Sequence, residues 1–261
     1  MKRLDAGRAV VDKSAMEWTG IVLGALALAL GGVLKGATGA GAPLLAVPIL
    51  AMLYDVPLAV AIFTLPNLFS NIWQGWRFRE HQVAPALTWG FALAGAAGAG
   101  VGSAMLVSLP SDLLLLGVAG AVFLYIAFRL AHPGWVLDLA VATRLAAPVG
   151  FAGGLLQGAA GVSAPISITF LHAMRSERLA FIATISVFFV AMAVTQIPLL
   201  AVWGVLTPQR ALLSAAALLP LVAGMPLGAM LARRFSKEFF DRLILVLLAL
   251  IAARLVLHAV L

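Results

Sequence analysis

One lysine and a short series of amides are the side chains with chemistry to offer in an otherwise apolar chain. Lys35 stands within GGVLKGATGAGAPLLAVPIL (31–50), inside one of the longest apolar runs. A lysine in such a run costs on the order of 3 kcal/mol on membrane-insertion scales, so it demands either a function or a way out. Two readings stay open. The ammonium can meet an anion in the interior, or it can snorkel to the far interface, because Lys35 lies about 25 Å along a helix begun at Trp18. A second candidate face lies in TLPNLFSNIWQGW (64–76), where Thr64, Asn67, Asn71 and Gln74 share one side of a helix. Polar side chains are expensive against lipid, so this face is expected to turn inward, toward neighbouring helices or toward a ligand.

The surroundings of Lys35 make a poor helix. Gly36, Gly39 and Gly41 interrupt it, and Pro43 follows. The pattern recurs: GGVLKGATGAGAP (31–43) matches GGLLQGAAGVSAP (153–165) at a constant offset of 122 residues, with Gln157 in place of Lys35 and Ser163 in place of Gly41. Pro43 and Pro165 suit the first turn of a new helix, where the missing N–H is no loss. Gly41 and Ser163 suit the N-cap before it. Short helices are therefore expected over 43–53 and 165–173, their first N–H groups pointing into the protein. A helix N-terminus attracts anions through its unpaired N–H groups and its positive dipole end. The expected donors are the backbone of Thr38, Gly39, Ala40, Gly41 and Ala42, and of Gly161, Val162, Ser163 and Ala164. Lys35 would add charge, and Asn67, Asn71, Gln74, Gln157 and Gln196 hydrogen bonds. One formal positive charge suits a small oxyanion better than a nucleotide.

The elements that must position these residues are helices in a membrane. Of 261 residues, 63% are hydrophobic and 10% charged, with mean hydropathy +1.09. Eight apolar segments can be marked, near 18–53, 57–76, 84–107, 112–131, 145–173, 179–205, 210–232 and 239–261. Strand alternation is absent, so an outer-membrane barrel is not the reading. The run 18–53 would make a helix of about 54 Å, too long for one crossing of about 30 Å and too short for two. A discontinuous or re-entrant segment fits better. GSAML (102–106) echoes GAMLA (228–232), so the chain divides into halves at 1–130 and 131–261. Arg77 and Arg79 lie in the second loop of the first half, whereas Arg175 and Arg178 lie in the first loop of the second half. If basic loops are cytoplasmic, equivalent loops face opposite sides, and the halves are inverted repeats. The fold expected is an all-α polytopic membrane protein, each half a Gly-broken segment plus three transmembrane helices. The side of the N-terminus stays open.

Formal net charge is +7, but the basic residues sit in short loops and form no nucleic-acid stripe. Without cysteine there is no thiolate metal site or disulfide. His81, His132, His172 and His258 lack metal-motif spacing, and no acidic residue lies well inside an apolar segment. Neither a nucleophile elbow nor an ATP-binding motif occurs. These readings point away from an enzyme, a metal site or a cofactor.

The two Gly-rich copies, GVLKGATGAGAPLLAVP (32–48) and GLLQGAAGVSAPISITF (154–170), one per half of a chain this long, resemble the sulfite exporter TauE/SafE family. The second copy departs from the pattern, with Ser163–Ala164 where a Gly pair is common. The resemblance implies a multi-pass carrier in the inner (plasma) membrane that moves small sulfur-containing anions, sulfite or organosulfonates, usually outward. The expected partners are that anion, the lipid bilayer and a coupling proton. A channel-like anion pore, and an intramembrane enzyme or scaffold without transport, are the competing readings.

Overall fold

The structure is a computed structural model, and it describes residues 2–131, 135–234, 246 and 249–250. The eighth apolar segment, 239–261, thus falls almost wholly outside the described residues. Nine α-helices are described: α1 (Lys2–Thr38), α2 (Ala42–Leu53), α3 (Val56–Arg77), α4 (Pro85–Ser108), α5 (Ser111–Ala131), α6 (Leu139–Ala160), α7 (Ala164–Ala173), α8 (Arg178–Val202) and α9 (Pro208–Leu231). Seven contain spans long and apolar enough to cross a membrane, and the short α2 and α7 are the exceptions. The chain is a multi-pass helical membrane protein.

Helix starts follow ordinary capping chemistry. Asp55 accepts from the Leu58 N–H at 2.7 Å, Asp138 from Ala140 at 3.1 Å, and Thr207 from Arg210 at 3.3 Å. Each satisfies an orphan donor at the first turn. Between α1 and α2 the chain turns at Gly39, whose φ is +93°, and between α6 and α7 at Gly161, with φ +71°. Only glycine enters this left-handed region without strain. After each turn the short helix folds back along the long one. A side chain at Gly20 would meet the Tyr54 hydroxyl at 3.3 Å, and Leu137 N–H donates to the Ala173 carbonyl at 2.8 Å. The start of the apolar span of α1, at Trp18, and the start of α6 therefore lie beside the ends of their short partners.

Two helix pairs approach to backbone contact, α1 with α9 and α4 with α6. A Cβ at Gly32 or Gly36 would overlap the carbonyls of Leu221 or Met225, and one at Gly224 or Gly228 those of Ala29 or Val33. Likewise a Cβ at Gly98 or Gly102 would overlap the carbonyls of Phe151 or Leu155, and one at Gly154 that of Gly95. Glycines four apart on both partners let the backbones touch, which is how apolar helices gain van der Waals contact where lipid offers no hydrophobic drive. The two contacts are counterparts. Gly102 meets the Leu155 carbonyl and the Ala159 nitrogen, while Gly228 meets the Val33 carbonyl and the Ala37 nitrogen.

Candidate functional site

Lys35 does not reach the surface. It is 1% exposed, and its Nζ donates to Asn71 Oδ1 at 2.7 Å. The Phe189 ring lies 5.9 Å from Nζ to the centroid, within cation–π range. No carboxylate pairs with it among the described residues. The ammonium has three donors and one protein acceptor, so two N–H groups and the charge itself lack a matching partner.

Asn71 is fixed from behind. Its Nδ2 donates to the Asn67 carbonyl at 2.7 Å and to Asn67 Oδ1 at 2.8 Å. Both sit on the inner face of α3, as the spacing from Thr64 to Gln74 predicts, and all four residues of that face are buried. Asn67 then faces a small cavity of about 10 Å³, enough for about one water. Thr64, Gln157, Gly161 and Gln196 line it too. The cavity thus joins α3 to α6 and α8, and Asn67 links it to Lys35.

The amides at the two breaks are less available than the sequence suggests. The Thr38 hydroxyl, itself donating to the Leu34 carbonyl at 2.9 Å, accepts from Gly41 at 3.1 Å and Ala40 at 3.4 Å. Gly39 N–H donates to the Lys35 carbonyl at 2.6 Å. On the other side, Gly161 N–H donates to the Gln157 carbonyl at 2.8 Å, and Ser163 N–H to Gln157 Oε1 at 3.2 Å. The Ser163 hydroxyl pairs with that of Ser167 at 3.2 Å instead of capping its helix. Of the expected amide donors, Ala42, Val162 and Ala164 keep N–H groups with no acceptor among the described residues. Gln157 is therefore a clasp for the second turn, the task Thr38 performs in the first.

Gln196 donates to the Gly158 carbonyl at 3.4 Å and lines the small cavity. Gln74 points elsewhere. It lines a larger groove of about 600 Å³ between α3, α8 and α9, and its buried Oε1 has no partner among the described residues.

Three residues near the site carry no signal in the sequence. Phe189 is an ordinary aromatic until the fold brings it over Lys35. Arg178 donates through Nη2 to the carbonyls of Gly36 and Ala37, both at 3.1 Å, and so closes the C-terminus of α1. Ser214 mends α3. Pro66 has no N–H, which orphans the Ile62 carbonyl one turn before it. The Ser214 hydroxyl donates to that carbonyl at 2.9 Å and accepts from Leu65 N–H at 3.0 Å. A free backbone group in a membrane interior costs several kcal/mol, so this contact steadies α3 in the turn before Asn67.

Searches among curated proteins and among solved structures return no match. The family model for the sulfite exporter TauE/SafE matches residues 23–255, nearly the whole chain, so this protein belongs to that family of membrane transporters.

Proposed function

We propose that the chain is a secondary transporter, an exporter of a small sulfur-containing anion such as sulfite or an organosulfonate, in the inner (plasma) membrane. The observation that carries this is Lys35, buried with one Asn71 acceptor and no acid beside it. A buried charge without a counterion is expensive, and an oxyanion would relieve it. The seat is placed between Lys35, Asn71 and the cavity lined by Asn67, Gln157 and Gln196. The free amides of Ala42, Val162 and Ala164 contribute from the two turns. A cavity of about 10 Å³ is smaller than such an anion, so this conformation is a closed one.

Alternating access supplies the opening. The halves 1–130 and 131–261 are read as inverted repeats, each with a re-entrant hairpin (α1–α2 and α6–α7). Three features support this: the repeated Gly-rich sequence, the paired hairpins, and the matching contacts of Gly102 and Gly228. Arg77 at the end of α3 and Arg178 at the start of α8 are read as marking the cytoplasmic side. The moving bodies, however, are not the sequence halves. Backbone contact ties α1 to α9 and α6 to α4, so each body mixes both halves. One body holds α1, α2, α3 and α9, and the other α4, α6, α7 and α8. They meet chiefly where α3 packs on α8. Lys35, Asn67 and Asn71 belong to the first body, and Gln157, Phe189 and Gln196 to the second. A ligand between them would feel any relative motion. A proton gradient is the proposed energy source.

Proteoliposomes test the proposal. A carrier loaded with unlabelled sulfite should accelerate uptake of labelled sulfite by counterflow, and the rate should saturate. Linear flux without counterflow would support a channel-like pore instead.

A further inference from the structure

The groove that Gln74 faces has features the transport reading leaves unused. Its walls are mainly apolar: Phe69, Trp73, Ile182, Leu218, Val222 and Met225. Phe69 and Trp73 are 49% and 58% exposed, and Val222 on the opposite wall is 47% exposed. In a chain that spans a membrane, such exposure at the middle of α3 and α9 means facing lipid. The groove therefore opens sideways, into the bilayer.

One end of the groove is basic. Arg178 lines it, and after its bonds to Gly36 and Ala37 its remaining N–H donors find no acceptor among the described residues. Phe78 lines it as well, and the Arg77 guanidinium lies over the Phe78 ring, 5.7 Å from its centroid. Arg233 and Arg234 follow Ala229, the last lining residue of α9, and are exposed. Arg79 is paired with Glu80 at 3.6 Å, and Glu177 is the neighbour of Arg178, so positive charge still predominates. An apolar slot open to lipid, with Arg178 in its lining and Arg77, Arg233 and Arg234 beside lining residues, matches one ligand in shape and charge.

We propose that this groove is a binding site for an anionic phospholipid, an acyl chain lying between α3 and α9 and the phosphate seated among Arg178, Arg77, Arg233 and Arg234. Arginine clusters at the end of an intramembrane groove are suited to lipid phosphates, since guanidinium and phosphate oxygens pair in a bidentate manner. Lys35 does not line the groove, and the site does not depend on which anion is carried. Its occupant would touch both α3 and α8, whose mutual packing is where the two bodies meet.

The test is lipid retention by the purified full-length chain, read by native mass spectrometry with phosphatidylglycerol and phosphatidylcholine of equal chain length. Phosphatidylglycerol should be retained preferentially. The preference should fall about fivefold for each arginine lost in Arg178→Gln or in Arg233→Gln with Arg234→Gln. The latter pair breaks no described side-chain contact, so a folding defect in Arg178→Gln would leave the test intact. Val222→Trp should fill the slot and reduce retention of both lipids. Brominated phosphatidylglycerol should quench wild type more than Trp73→Phe, which locates the chain in the groove. Equal retention of the two lipids, a preference unchanged in the arginine variants, or displacement of the lipid by sulfite would overturn the proposal. The last result would assign the groove to the substrate path.

Discussion

Lys35 donates to Asn71 at 2.7 Å: one is a buried cation, the other its only side-chain acceptor among the described residues. They come from different helices, 36 residues apart. Asn71 supplies an oxygen but no charge. The ammonium is thereby held in place and left electrostatically unsatisfied, which is the state a transient anion can exploit.

Removing the charge should remove the ligand. Lys35→Gln keeps a hydrogen-bonding side chain and should weaken sulfite binding by roughly tenfold to a hundredfold, the range of a charge-assisted hydrogen bond. Calorimetric titration of the purified protein checks this. Unchanged affinity would remove Lys35 from the site.

Asn71→Asp should inhibit by neutralisation. The carboxylate would sit where Oδ1 now lies, forming an internal ion pair that competes with the anion. Binding should fall while thermal stability holds or rises, whereas Asn71→Leu should lower both. A thermal-shift assay beside the titration separates the two variants.

Ser214→Ala should loosen α3. The Ile62 carbonyl, which Pro66 cannot bond, loses its partner, at a penalty of about 1–3 kcal/mol for a group left buried and unpaired. Unfolding in detergent should occur at lower temperature, and hydrogen exchange should rise around 62–66.

Crosslinks should separate moving contacts from fixed ones, and a chain without cysteine is ready for them. A Cβ at Gly75 would lie 3.5 Å from that of Ser186, joining α3 to α8, and one at Gly90 would lie 3.9 Å from that of Ala146, joining α4 to α6. Both spacings suit a disulfide. Oxidised Gly75→Cys/Ser186→Cys should lose sulfite counterflow and regain it on reduction. Oxidised Gly90→Cys/Ala146→Cys should stay active. Loss of counterflow in both would rule out the two bodies as drawn.

Gly39→Ala should disturb the first turn. A Cβ there would come within 2.5 Å of Ile182 Cγ1, on a backbone with φ +93° that L-residues enter at a cost of about 1 kcal/mol or more. Folded yield should drop, and pairing with Ile182→Ala should recover part of it.

What the sequence determined alone follows from local rules. Apolar runs must be helices in lipid because no water satisfies their backbone. The repeated Gly and Pro pattern marked both turns because glycine admits the left-handed conformation and proline suits a first helical turn. The spacing of Thr64, Asn67, Asn71 and Gln74 gave one buried face because helix periodicity is a property of neighbours in the chain. The tertiary structure decided what depends on distance between segments. Lys35 meets Asn71 and Phe189 rather than the interface because the fold brings α3 and α8 against that turn of α1. Thr38 and Gln157 take amides that looked free, since side-chain clasps form only once the turns close. Gln74 faces a groove away from the small cavity, and Ser214 repairs α3 across 149 residues. Such partnerships depend on which helices pack together, and the glycines of α1, α9, α4 and α6 settle that through contacts no linear spacing records.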